Sequence, residues 1–177
     1  MATETREPLV GILMGSDSDL PVMEEALAVL DAHGVDCEVK ILSAHRCPEE
    51  TSRYAAEAAG RGIQVLIAGA GWAAHLAGVV ASKTTLPVIG VPIDSSPLNG
   101  MDALLSTVQM PPGIPVATMA IGKGGARNAA IFALQILALR DPALAEKLRQ
   151  GKQDMADDVV IRRNRKLQEY LVSRGAR

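Results

Sequence analysis

Short apolar runs alternate with stretches of helical periodicity along most of this 177-residue chain. Pro8 to Met14 (PLVGILM) is continuously apolar, the pattern of a strand covered on both faces. It ends in Gly15-Ser16-Asp17-Ser18-Asp19. From Pro21 to His33, apolar residues fall at Val22, Met23, Ala26, Leu27, Val29 and Leu30, which predicts a helix. Ser18 or Asp19 is the expected cap at its start, and Gly34 the expected stop. Val35 to Leu42 alternates like a strand. Pro48 is placed to open a second helix reaching about Gly60. Gln64 to Ala68 (QVLIA) predicts a third strand, followed by a small-residue stretch and a helix over Ala73 to Ser82. Pro87 to Val91 and Pro115 to Ala120 predict the fourth and fifth strands, and the Ala-rich Gly124 to Leu139 a buried helix.

Strands and helices alternating at this length form a parallel sheet with helices on both faces. Right-handed crossovers make it doubly wound. The expected fold is therefore α/β, a three-layer, flavodoxin-like sheet in the order 2-1-3-4-5. The length fits a single domain over 1–177, with an α/β core at 8–140. From Pro142 to Arg174 the chain becomes charged and helical, with Gly151 a candidate break. Met155, Val159, Leu167 and Leu171 leave a thin apolar stripe interrupted by Arg163. Such a helix either packs on a neighbouring subunit or folds back on its own domain. Beyond Arg174 the chain should fray.

Composition narrows the function classes. Aromatic residues make up only 2% of the chain, so the core must be built from Ala, Val, Ile and Leu. The net charge of −2 provides no basic face for nucleic acid. No run approaches the roughly 20 apolar residues a membrane-spanning helix needs, and residues 1–7 lack the apolar stretch of a signal peptide. Cys37 and Cys47 make neither a CxxC pair nor a disulfide framework, which points to a reducing, cytoplasmic setting.

Parallel sheets bind ligands beyond the carboxyl ends of their strands, near the switch in strand order. That rule selects three loops. In Gly15–Asp19, hydroxyls and helix N–H groups can take a phosphate, and a carboxylate can take ribose hydroxyls. N-capping is the structural alternative. In Ser43-Ala44-His45-Arg46, a planar guanidinium beside a hydroxyl suits a phosphate, and an imidazole suits proton transfer near neutral pH. An incidental surface His-Arg pair is the alternative. In Gly69–His75, small residues allow close backbone approach, with His75 expected in the first turn of the following helix. A glycine turn with a partly buried His is the alternative there. The third histidine, His33, suits a helix C-terminus. The histidine spacing does not suit zinc. Gly122–Asn128 reads as a tight strand-to-helix turn, and Cys47 as structural.

Taken together, these loops resemble the catalytic-subunit family of phosphoribosylaminoimidazole carboxylase, in its bacterial-type mutase branch. The resemblance covers residues 9 to about 140. It is carried by GSDSD at 15–19, SAHR at 43–46, AAHL at 73–76, LPVIGVP at 86–92, STVQMP at 106–111, GIPVAT at 113–118 and GARNA at 125–129. It implies rearrangement of N5-carboxyaminoimidazole ribonucleotide to 4-carboxy-5-aminoimidazole ribonucleotide in purine (IMP) synthesis. It also implies a homo-octamer and neither a metal nor an organic cofactor. By the same resemblance, Ser16 and Asp19 bind the ribotide and Ser18 and Arg46 hold its phosphate. Ser43, Ala70 and Gly71 line the carbon dioxide subsite, His45 moves the proton at C4 and His75 supports it. The chain departs from the family pattern at Cys47, usually threonine or similar, and at Trp72, Ala77 and Val79, usually a small residue, proline and methionine.

Two other readings stay open. One is a direct carboxylase using free carbon dioxide, a type that generally lacks AAHL. The other is a non-catalytic nucleotide-binding module, which would not need His45.

Overall fold

Five parallel strands form the centre of the fold: β1 (Val10–Met14), β2 (Cys37–Ile41), β3 (Val65–Ala70), β4 (Val88–Pro92) and β5 (Ala117–Thr118). They lie in the order β2-β1-β3-β4-β5. The computed structural model describes residues 8–175, so the polar head at 1–7 and the last two residues of the expected frayed tail lie outside the described residues. There are two compact units, one reaching Leu137 and one beginning at Ala138.

The helices of the first unit are α1 (Leu20–His33), α2 (Pro48–Glu57), α3 (Leu76–Ala81), α4 (Met101–Val108) and α5 (Lys123–Ala138). Side-chain alternation divides them between the two faces of the sheet. Leu66 and Ala68 on β3 share a buried cluster with Tyr54 and Ala55 of α2 and with Leu76, Ala77 and Val80 of α3. Gly69, of opposite parity, faces Met23 of α1. Glu25 of α1 pairs with Lys123 and Arg127 of α5, which puts those two helices on one face. β1 and β4 are buried along their whole length, as their unbroken apolar runs require. β2 is an edge strand, which is why it alternates; Val39 and Ile41 remain exposed.

Register decides where the loops begin. Met14 is level with Ile41 on one side and with Gly69 on the other. The chain therefore leaves β1 and β2 at the same height, and β3 one residue later.

Several local expectations are corrected. Asp19 does stand at the N-cap position of α1, but its side chain makes no cap bond to that helix. Ser16 caps a single 3-10 turn at Asp17–Asp19: its side chain accepts the Ser18 N–H while the Asp19 carboxylate accepts the Ser16 N–H. The helix after β3 starts at Leu76 rather than Ala73, so His75 is its N-cap and not a member of its first turn. The fifth strand shortens from 115–120 to two residues, in keeping with Pro115, which has no N–H to give the ladder. α4 was not expected: its N-cap is Gly100 at φ +80, with no side-chain cap, so the usual start signal is missing. Gly34 does end α1, at φ +71.

In the second unit, the Asp141 carboxylate accepts the Ala143 and Leu144 N–H groups, each at 3.0 Å, and opens α6 (Pro142–Asp157). The helix runs through Gly151 without a break. One glycine costs only about 1 kcal/mol in a helix, and Gln150–Asp154 and Gln153–Asp157 bonds support the turns around it. The irregularity comes later, in a π-helical stretch at Asp158–Arg163, before α7 (Asn164–Ser173). There Arg162 and Arg163 both hold Asp158, at 2.6 and 2.8 Å. Met155, Val159 and Leu167 of the thin stripe are all at least half exposed.

A Cβ at Gly125 would stand 1.7 Å from the Ala120 carbonyl oxygen, a backbone atom that cannot swing away. Gly125→Ala should therefore destabilise the protein by roughly 3 kcal/mol. Urea unfolding checks this; an unchanged midpoint would contradict the close approach.

Candidate functional site

The turns leaving β1, β2, β3 and β4 enclose a cavity of about 560 Å³ at the carboxyl edge of the sheet. Every residue singled out from the sequence lines it: Ser16, Ser18 and Asp19 from the first turn, Ser43, His45 and Arg46 from the second, and Ala70, Gly71 and His75 from the third.

Two contacts tie the turns together. His45 Nε2 lies 2.8 Å from His75 Nδ1, with the rings close to perpendicular (77°) and their centroids 4.9 Å apart. β2 and β3 flank β1, so their backbones are roughly 10 Å apart, and the two imidazoles meet across the end of β1. One nitrogen of the pair must donate and the other accept, so they share one proton along this line. The second contact is the Arg46 guanidinium, which donates from Nη2 to the Gly15 carbonyl at 2.6 Å and from Nε to Ser43 Oγ at 3.3 Å. Arg46 thus spans the first and second turns and stays exposed toward the cavity. The second turn is also held internally: the Cys47 thiol accepts the Ser43 N–H at 3.1 Å and donates to the Ser43 carbonyl at 3.4 Å. This is a structural use of that cysteine.

A family model described as AIR carboxylase matches residues 9–158. This chain belongs to the AIR carboxylase family. A Pyrococcus horikoshii protein named N5-carboxyaminoimidazole ribonucleotide mutase is 59% identical over 88% of this chain and 86% of its own. The protein of that name from Bacillus subtilis is 55% identical over 87% and 95%. Among solved structures, Treponema denticola PurE superposes with a TM-score of 0.74 at 29% identity, covering 87% of this chain and 98% of that one. A variant of Treponema denticola PurE2 gives 0.79 at 28% identity, over 88% and 95%. The doubly wound sheet in the order 2-1-3-4-5 is thus the fold of this AIR carboxylase family member.

Two lining residues, Leu76 and Ser95, fall outside the three loops selected from the sequence. Ser95 follows β4 and sits against Gly71, where a Cβ would come within 1.8 Å of Ser95 Oγ. The same rule, carried one strand further to Asp94-Ser95-Ser96, would have found it. Within the third loop, Trp72 lines the cavity as well. The Gly122 turn does not: Gly122, at φ +76, donates to the Pro92 carbonyl and starts α5, and the cations after it pair with Glu25. His33 bonds the Val29 carbonyl at the end of α1, away from the cavity. Among the described residues no cluster of His, Cys, Asp or Glu could hold a metal ion, and no helix is long and apolar enough to cross a membrane.

Asp19 is the one buried charged group of the cavity, 4% exposed. Burial pushes its carboxyl above the usual range; N–H bonds from Ser16 and Gly15 and the nearby Arg46 charge pull the other way and only partly offset it. A raised carboxyl binds its proton more tightly folded than unfolded. Stability therefore falls as pH rises from about 4, the unfolded value, through the raised folded value, and stays reduced above it. Asp19→Asn should melt higher than the wild type at pH 7, with the difference closing below about pH 4. A variant that melts lower at neutral pH would contradict the cost assigned to this carboxylate.

Proposed function

We propose that this protein is a mutase that converts N5-carboxyaminoimidazole ribonucleotide to 4-carboxy-5-aminoimidazole ribonucleotide in purine synthesis. The observation that carries the reading is the His45–His75 pair at 2.8 Å in the same cavity as the Arg46 guanidinium. That combination offers proton transfer at one end and anion recognition at the other. The names of the relatives and the AAHL stretch at 73–76 support the mutase over the direct carboxylase.

In this reading Arg46 and Ser18 take the phosphate, since a guanidinium fork and a hydroxyl match its oxygens. Ser16 and the Asp19 carboxylate take the ribose hydroxyls. The carbamate C–N bond breaks, carbon dioxide stays against Ser43, Ala70 and Gly71, and the exocyclic nitrogen takes a proton from His45. The freed aminoimidazole is an enamine, and its C4 attacks the carbon of the retained carbon dioxide. C4 is then tetrahedral and still carries hydrogen. His45, neutral after the first transfer, removes that C4 proton, the ring regains aromaticity, and the imidazole ends protonated as it began. His75 orients His45 and shares its proton. Holding both fragments in one pocket makes the second bond formation effectively unimolecular, and nothing here calls on a metal or cofactor.

The same reading makes the protein a cytoplasmic homo-octamer. Val39 and Ile41 on the β2 edge, Met101, Leu105 and Val108 along α4, and Met155, Val159 and Leu167 in the C-terminal helical segment are apolar and exposed, as surfaces between subunits are before assembly. Free Cys37 and Cys47 suit a reducing compartment. Sedimentation equilibrium should give eight chains; a stable monomer would contradict it.

The direct test compares turnover of the N-carboxylated ribonucleotide with that of aminoimidazole ribonucleotide plus bicarbonate. Preference for the first supports the mutase, and preference for the second selects the carboxylase. His45→Asn should keep nucleotide affinity and lose about 10²–10⁴-fold in kcat; comparable activity would remove the proton carrier. Arg46→Ala should raise the nucleotide Kd about 10–100-fold, the loss of a charge-assisted bidentate contact. Unchanged affinity would refute the phosphate role.

A further inference from the structure

Trp72 is unusual in three independent ways. It is the chain's one tryptophan. It sits at φ +54, the left-handed region that a bulky side chain rarely adopts. The residue is 59% exposed although it lines the cavity. The strained residue follows Gly71, which packs against Ser95 where no Cβ fits. Packing within the chain does not explain why a large apolar side chain occupies a strained position that is 59% exposed; a planar ligand in the cavity would. The rest of the lining is Gly, Ala, Ser, Leu76, Asp19, Arg46 and the two histidines. Apart from the two imidazoles, the indole is the cavity's one flat aromatic surface.

We infer that Trp72 is a substrate-contacting, specificity-determining residue whose indole lies over the aminoimidazole ring and closes the water-facing side of the cavity. The inference rests on the function proposed above and deepens it. A planar, electron-rich heterocycle gains from an aromatic face on its open side, much as a nucleobase does. That cover serves the chemistry, since the retained carbon dioxide is lost wherever water reaches it.

Because the chain has a single tryptophan, its fluorescence reports on position 72 alone. Titrating 4-carboxy-5-aminoimidazole ribonucleotide should change the emission saturably. Ribose 5-phosphate, which has the sugar-phosphate but no ring, should leave it unchanged at saturation. Emission blind to the nucleotide, or equally sensitive to both ligands, would overturn the inference. Emission that follows subunit dissociation and not nucleotide would also overturn it and assign the indole to a subunit contact.

Two variants give the kinetic arm. Trp72→Gly relieves the positive φ and should melt no lower than the wild type. It should raise KM for the N-carboxylated ribonucleotide about 10-fold and release more free aminoimidazole ribonucleotide per turnover. Trp72→Phe should restore both properties. A wild type inactive on this nucleotide would sink the proposed function; an active wild type matched by Trp72→Gly in KM and release would sink only the role of Trp72.

Discussion

The site depends on strand register. With Met14 level with Ile41 and Gly69, the crossovers α1 and α2 must both start just above the end of β1, with the turn into α3 beside them. The backbone seals this edge: Gly15 N–H bonds the Gly69 carbonyl and Leu42 N–H the Met14 carbonyl. A one-residue slip would turn every side chain of a strand to the other face. It would also carry His45 and His75, 30 residues apart in sequence, out of the 2.8 Å contact that joins two of the turns. Hydrophobic burial of β1, β3 and β4 fixes the register among those strands, and the β1–β2 ladder carries it to the exposed edge strand, so the core and the chemistry are not separate designs.

Small residues serve both ends of that arrangement. An aromatic-poor core lets α5 pack on Ala126, Ala129, Ala130 and Ala133, all fully buried. At the cavity, Gly71 lets the third turn meet Ser95, and Ala70 keeps the wall low. Polarity is then confined to a few groups. Asp19 illustrates the exchange between stability and binding: its buried carboxylate costs the fold stability, and in the proposed reading it accepts hydrogen bonds from the ribose hydroxyls.

Much of this was legible in the sequence because strand periodicity and the edge rule act locally. The apolar runs ending at Met14 and Ala68 located two of the turns, and the motifs within them supplied the residues. Other features depend on partners distant in sequence. A 3-10 turn capped by Ser16 precedes α1, because the Asp19 carboxylate turns back to the Ser16 N–H instead of capping the helix it opens. Ser95 joins the cavity only because β4 lies beside β3. α4 begins at a left-handed glycine with no capping side chain, and the positive φ of Trp72 has no signature in composition. Gly151 is the reverse case, a helix-breaking residue whose cost the surrounding turns absorb.

A crystal structure with bound 4-carboxy-5-aminoimidazole ribonucleotide measures the arrangement of the site. The phosphate should lie on Ser18 and Arg46, the ribose against Asp19, and the His45 imidazole within reach of the carbon bearing the carboxylate. A nucleotide bound elsewhere, or with its ring turned away from His45, would contradict that placement.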